Sequence, residues 1–241
     1  MSKRVKIFAH RGASGHALEN SFKAFDKAIE MKVDGIELDL QCAKDGQLFV
    51  FHDLNLHRLA GVNRFFSDCL SEEIREYKIG RRFLRRFMNI RIPTVEEFME
   101  WLTKNPVSVN LELKESVLKH KEYLISLLLD LELPKGSHFS SFYPELLQIV
   151  KQVRPDFEVA ILVTKKFKWD ELNSMDEIDA VHANKKYYKP LYLNFASEAN
   201  KPMRFYGIKG NEPFLKEPHP NVVGWITDYP EKVAALIKNG Y

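Results

Sequence analysis

Gly35-Ile36-Glu37-Leu38-Asp39-Leu40 alternates apolar and acidic side chains over six residues. Strand side chains point to opposite faces in turn, so Ile36, Leu38 and Leu40 share one face and Glu37 and Asp39 the other. Working outward, short apolar runs of this kind recur and alternate with helix-like segments. Strands are expected at residues 5–10, 35–41, 48–51, 107–113, 138–142, 157–163, 180–183, 203–208 and 222–226. Between them, residues 21–32 place Phe22, Phe25, Ala28 and Ile29 on one helical face. Residues 94–104 open on Thr94 with Glu97 three positions later, a capping-box pattern. Residues 117–129 read as a strongly amphipathic helix, and helices are also expected at 144–153, 169–175, 191–198 and 230–239. About eight strand–helix units result, the number that an α/β fold of the (β/α)8 TIM-barrel type needs. A doubly wound sheet is the rival, but no Gly-x-Gly-x-x-Gly follows the first strand.

Residues 54–90 are too long for an ordinary connection, so a small insertion after the second strand is expected within a single 1–241 domain. Active sites of barrels sit at the C-terminal ends of the strands, so the insertion is placed to cover a substrate. The 241 residues are 45% hydrophobic and 29% charged, which excludes a disordered chain. A net charge of +3 does not by itself argue for nucleic acid. The two cysteines, Cys42 and Cys69, form no zinc-type spacing and are expected to be buried thiols. No run is apolar enough for a signal peptide or a membrane span, so cytoplasmic residence is the default expectation.

The chemistry concentrates at strand ends. His10 ends the first strand and is followed by Arg11, and His52 follows the short hairpin strand. Asn110, Glu112 and Lys114 alternate against Leu111 and Leu113, which puts Glu112 in the same interior as Glu37 and Asp39. Carboxylates crowded on one buried face repel unless something positive sits between them. Hard oxygen ligands favour Mg²⁺ or Ca²⁺ over zinc. The histidines are then free to act as acid and base near neutrality. Arg11 offers a fork for phosphate oxygens, and Lys114 a point charge. Buried ion pairs with Arg11 or Lys114 are the competing reading for Glu37 and Asp39, set against three acids facing two cations.

The ordered motifs extend over nearly the whole chain. They are Ala-His-Arg-Gly at 9–12, Glu-Asn-Ser at 19–21, Gly-Ile-Glu-Leu-Asp-Leu at 35–40, Lys-Asp-Gly at 44–46 and Phe-His-Asp at 51–53. Ile-Pro-Thr-Val-Glu-Glu at 92–97, Asn-Leu-Glu-Leu-Lys at 110–114, Ser-Phe at 141–142 and Thr-Asp-Tyr-Pro at 227–230 complete them. In this set the chain resembles the glycerophosphodiester phosphodiesterases. The resemblance implies a (β/α)8 barrel with an insertion after the second strand. It implies His10 and His52 as the acid/base pair, and Glu37, Asp39 and Glu112 as ligands of a divalent cation. It also places Arg11 and Lys114 near the phosphate and Glu19 at the edge of the site. The implied reaction releases glycerol 3-phosphate and an alcohol from a small-molecule glycerophosphodiester. Leu18 and Ser21 replace the family's usual proline and threonine. Tyr206-Gly207-Ile208-Lys209 replaces its usual Trp-Thr-Val-Asn in the seventh strand, on the alcohol side of the pocket.

Two rival readings stand beside this one: a lysophospholipase D working at a membrane surface, and a catalytically inactive barrel that binds phosphate esters or a protein. His16, His57, His120, His138, His182 and His219 are assigned structural roles. Phe142 and Tyr206 are candidate pocket walls. Lys78, Arg81, Arg82, Arg85, Arg86 and Arg91 are interleaved with Phe83, Leu84, Phe87 and Met88. A solvated face that packs the insertion is preferred for this run over a surface for anionic lipid headgroups.

Overall fold

Eight parallel strands close a barrel in the computed structural model, which describes residues 4–83 and 85–238. In chain order the barrel strands are β1 (Lys6–His10), β2 (Gly35–Cys42), β6 (Ser108–Leu113), β7 (His138–Ser141), β8 (Glu158–Leu162), β9 (Ala180–Asn184), β10 (Met203–Ile208) and β11 (Val222–Thr227). Each pairs in parallel with its neighbours, and pairing of β1 with both β11 and β2 closes the ring. Between β2 and β6 lie β3 (Leu48–Val50), which pairs antiparallel with the end of β2, and the two-stranded hairpin of β4 (Lys78–Ile79) and β5 (Ile90–Arg91).

The helices are α1 (Phe22–Glu30), α2 (His57–Ala60), α3 (Ser71–Glu76), α4 (Arg85–Met88), α5 (Val95–Lys104), α6 (Lys121–Asp130), α7 (Pro144–Val153), α8 (Pro190–Glu198) and α9 (Pro230–Lys238). Helix α5 begins with the expected capping box: Glu97 N–H donates to Thr94 Oγ1 at 3.2 Å, and Thr94 N–H to the Glu97 carboxylate at 2.8 Å. Ile36, Leu38 and Leu40 are fully buried on the outward face of β2, in one apolar core with Phe25, Phe98 and Leu102. The end expected for the last helix falls on Asn239 and Gly240, outside the described residues.

One expectation is corrected. The helix read over 117–129 is two pieces: a 3₁₀ helix, Glu115–His120, and then α6. His120 leaves helical geometry (φ −137°, ψ 52°), which breaks the run. Leu124 and Leu128 are buried, four apart, but Ile125 and Leu129 face solvent. The apolar residues therefore wrap around the helix, so α6 is not strongly amphipathic. Residues 169–174 also form a 3₁₀ helix; Trp169 and Leu172 are both buried, and their spacing of three suits a helix of three residues per turn.

The insertion has its own apolar cluster. Leu56, Leu59, Phe66, Cys69, Ile74 and Ile79 pack with Phe49, Phe51 and Ile92, so the segment is anchored on the β2–β3 hairpin. Cys42 and Cys69 are buried and unpaired, and burial pushes the Cys42 thiol up to about 12. Among the described residues, no helix is long and apolar enough to cross a membrane.

The lower barrel interior is polar. His138 stands edge-on to Phe8 and His182, with ring centroids 5.4 and 5.3 Å away, and Arg204 donates to Glu158 at 2.6 Å. Burial, then the charge of Arg204, drives both imidazoles well below their ordinary pKa. The unfolded chain therefore takes up protons first as the pH falls, and stability is lost below about pH 6.5. Each histidine contributes a slope of about 1.4 kcal/mol per pH unit in that window. Denaturant unfolding at pH 7, 6 and 5 is expected to show this loss, and His182→Asn to remove about half of the slope. An unchanged slope in the variant would count against the assignment.

Candidate active site

Register brings the acidic residues together. His10 lies beside Glu37 across β1–β2, and Glu37 and Asp39 lie beside Asn110 and Glu112 across β2–β6. These positions alternate inward, so the carboxylates of Glu37, Asp39 and Glu112 meet at the C-terminal end of the barrel. All three are buried, and one oxygen from each lies within 4.8 Å of the others.

Their charges are unevenly answered. Lys114 Nζ is 2.7 Å from Asp39 Oδ1 and also bonds Glu112 Oε1. Arg11 Nε lies 3.3 Å from Asp39, and Asn20 Nδ2 donates to Asp39 at 2.8 Å. Against the cost of burial, Lys114 and Arg11 hold Asp39 well below the usual carboxylate range. Glu37 accepts only the Arg11 backbone N–H, at 2.9 Å, and its Oε1 has no partner. Burial and the neighbouring Asp39 charge raise Glu37 to about 7. The ion-pair reading and the metal reading thus meet in one cluster: Lys114 and Arg11 answer Asp39 and Glu112, and Glu37 faces only the His10 imidazole, with Nε2 3.9 Å away. That orphaned oxygen among three hard donors fits a divalent cation.

The chain turns sharply after β1 to make this contact. Arg11 and Gly12 both have left-handed backbones (φ 55° and 77°). A Cβ on Gly12 would stand 2.6 Å from the Ala24 backbone, so only glycine allows α1 this close. The Arg11 guanidinium then donates to Glu19 at 2.7 Å.

Each histidine is held through Nδ1 by a carboxylate. His10 Nδ1 is 2.7 Å from Asp228, which also accepts from Ser14 Oγ. His52 Nδ1 is 2.8 Å from Asp53. The amide of Gln41 fixes the His52 segment by donating to the carbonyls of His52 and Asp53 at 3.1 and 3.0 Å. Arg58, on α2 of the insertion, grips Asp53 at 2.6 Å and Glu19 at 2.6 Å. One chain of ion pairs, Arg11–Glu19–Arg58–Asp53–His52, therefore ties the insertion to the site. Glu37 and Asp228 raise the His10 pKa in spite of its burial. An imidazole fixed at Nδ1 has Nε2 left for proton transfer.

A cavity of about 100 Å³ gathers His10, Arg11, Glu37, His52, Glu112 and Lys114 with Phe142 and Tyr206. Asp39, fully buried, does not line this cavity and stands beside Glu112 across β2–β6, and Glu19 is tied to it through Arg11 and to the insertion through Arg58. His182, read from the sequence as structural, also lines this cavity, and neither of its ring nitrogens has a partner. β10 carries a bulge at Gly207 (φ 75°), so the unusual seventh strand leaves its regular register just after Tyr206. A wider groove of about 510 Å³ shares His52 and Lys114 and runs past Leu54, Arg58, Phe142 and Tyr143. Sequence reasoning missed the orienting roles of Asp53 and Asp228, although both lie in quoted motifs. It had no signal for Arg58.

A family model for the glycerophosphoryl diester phosphodiesterases matches residues 10–232. The chain is 31% identical over 246 residues to the uncharacterised Bacillus subtilis protein YqiK, covering 98% of this chain and 99% of that one. It is 30% identical over 249 residues to a glycerophosphodiester phosphodiesterase of Caldanaerobacter subterraneus subsp. tengcongensis, covering 98% and 99%. Its fold matches that of an Oleispira antarctica phosphodiesterase solved with the product sn-glycerol-3-phosphate. There the TM-score is 0.85 at 22% identity, over 97% of this chain and 96% of that one.

Proposed function

The chain belongs to the glycerophosphoryl diester phosphodiesterase family and is a phosphodiester hydrolase, and from that premise we propose that it cleaves glycerophosphodiesters to glycerol 3-phosphate and an alcohol with a divalent cation and two histidines. The observation that carries this reading is the joint placement of His10 and His52, each with Nδ1 on a carboxylate, in one cavity with Glu37 and Glu112. One histidine takes the proton of the glycerol 2-hydroxyl as that oxygen attacks phosphorus. The other gives a proton to the departing alcohol, and water then opens the cyclic phosphate. Arg11 and Lys114 orient the phosphate oxygens. Glu37, Asp39 and Glu112 would hold Mg²⁺ or Ca²⁺, which when bound neutralises charge on the diester.

The test is glycerol 3-phosphate release from glycerophosphocholine and glycerophosphoethanolamine, with added Mg²⁺ or Ca²⁺ and again in chelator. Release is expected to fall at least about 100-fold in chelator. An unchanged rate would remove the cation from the reaction. A second reading, choline release from lysophosphatidylcholine, is favoured by the apolar side chains of Leu54, Phe142 and Tyr143 in the groove beside His52. The same assays with that substrate separate the two.

A further inference from the structure

The hairpin tip at residues 78–91 is unlike the rest of the insertion. Leu59, Phe66 and Ile74 are buried, whereas Phe83 and Phe87 are 83% and 85% exposed. The expectation that this run packs the insertion therefore fails for its two phenylalanines. Leu84 and the side chains of Arg86 and Met88 lie outside the described residues.

The tip is nevertheless tethered. Lys78 pairs with Arg91 and Ile79 with Ile90 across β4–β5. Gly80 N–H donates to Leu59 O at 3.1 Å, and Arg85 donates to Ala60 O at 2.6 Å. Both anchors lie on α2, the helix whose Arg58 reaches Asp53 and Glu19.

Charge is equally concentrated. Residues 78–91 contain six Lys or Arg and no Asp or Glu, while the whole chain carries only +3, so the remainder is net negative. Arg91 is answered by Glu76. Among the described residues, Lys78, Arg81 and Arg82 are exposed and have no acidic partner. Arg82 sits 5.8 Å from the Phe83 ring.

Isolated exposed phenylalanines need no explanation, but two nearly bare rings among unanswered arginines do. Phenylalanine rings enter the boundary between headgroups and acyl chains, and basic side chains beside them are drawn to anionic lipid. Nucleic acid would ask for a basic surface tracking several phosphates, and here the basic residues converge on one tip. We propose that residues 78–91 dock the protein on the surface of an anionic phospholipid bilayer, through Phe83 and Phe87 in the interface and Lys78, Arg81 and Arg82 on the headgroups. This docking goes beyond the proposed reaction and does not depend on which diester is cleaved.

The probe is flotation of the full chain with vesicles of phosphatidylcholine alone or with about one-third phosphatidylglycerol. Binding is expected to the anionic vesicles only, and to weaken at least about tenfold when salt rises from about 0.1 to 0.5 M. The variant F83S/F87S is expected to lose at least about tenfold in vesicle affinity, with its melting temperature and its turnover of dissolved glycerophosphocholine unchanged. R81Q/R82Q is expected to lose about fivefold per charge. Three outcomes would overturn the proposal: no binding of the unaltered chain to anionic vesicles, equal binding by F83S/F87S, or tighter binding to a DNA duplex than to the vesicles.

Discussion

His10→Ala and His52→Ala are each expected to lower kcat by about 10³-fold, in the middle of the range that a positioned acid or base contributes. Neither change opens the core. The two side chains are 27% and 34% exposed, lie just at or beyond strand ends, and bond outward to Asp228 and Asp53. Thermal unfolding should therefore move little. In the proposed reaction the two groups act in one proton-transfer sequence, so the double variant should be barely worse than either single one. The orienting carboxylates give a finer check. Asp53→Asn keeps the shape but offers His52 Nδ1 an ambiguous partner, and it frees Arg58 from one of its two acids. It should lower kcat by about 10- to 100-fold with a smaller change in KM, because the carboxylate orients the imidazole through Nδ1 and does not bind substrate. A His10→Ala or His52→Ala protein with more than about a tenth of normal turnover would remove that histidine from the mechanism.

Much of this was legible because the information is periodic and local. The two-residue repeat of Ile36-Glu37-Leu38-Asp39-Leu40 dictates which side chains face the helices and which face the interior. The same repeat in Asn110-Leu111-Glu112-Leu113-Lys114 brings Glu112 to Asp39 once the strands pair in parallel. What was not legible depends on orientation or on distant packing. His182 lies in Ala180-Val181-His182-Ala183 and reads as core. Only closure of the barrel turns it toward the cavity. Asp228 lies 218 residues from His10, and no local pattern tells which ring nitrogen it holds. Arg58 is one exposed arginine among many in the insertion, and its grip on Asp53 and Glu19 follows from how α2 is seated. Residues 115–120 tighten into 3₁₀ geometry at the mouth of β6, where Ser116 Oγ bonds Gln41 and Cys42 rather than a helical neighbour.

The acidic cluster predicts opposite stability effects from two substitutions that should both abolish cation-dependent activity. In chelator, Glu37→Gln is expected to stabilise the protein at pH 8 by something on the order of 2 kcal/mol. Glu37 is buried beside Asp39 and Glu112, with a folded-state value of about 7. That value stands above its unfolded one, so the stability it contributes is present at low pH and is lost as pH rises through about 7. The glutamine keeps an acceptor for the Arg11 N–H and removes a charge whose nearest side-chain cation is the His10 imidazole, 3.9 Å away. Asp39→Asn should do the reverse. Asp39 is fully buried and binds Lys114, Arg11 and Asn20. Its loss strands cationic groups in the interior, at a cost of about 2–4 kcal/mol, moderated because Glu112 and Glu19 still face Lys114 and Arg11. Melting curves at pH 5 and pH 8, with and without Mg²⁺ or Ca²⁺, check both. The unaltered chain should gain stability on adding the ion and neither variant should, because binding to the folded state alone shifts unfolding by mass action. Glu37→Gln melting below the unaltered chain at pH 8 in chelator would mean that its carboxylate is satisfied without a cation, and the three acids would then be an ion-pair network rather than a metal site.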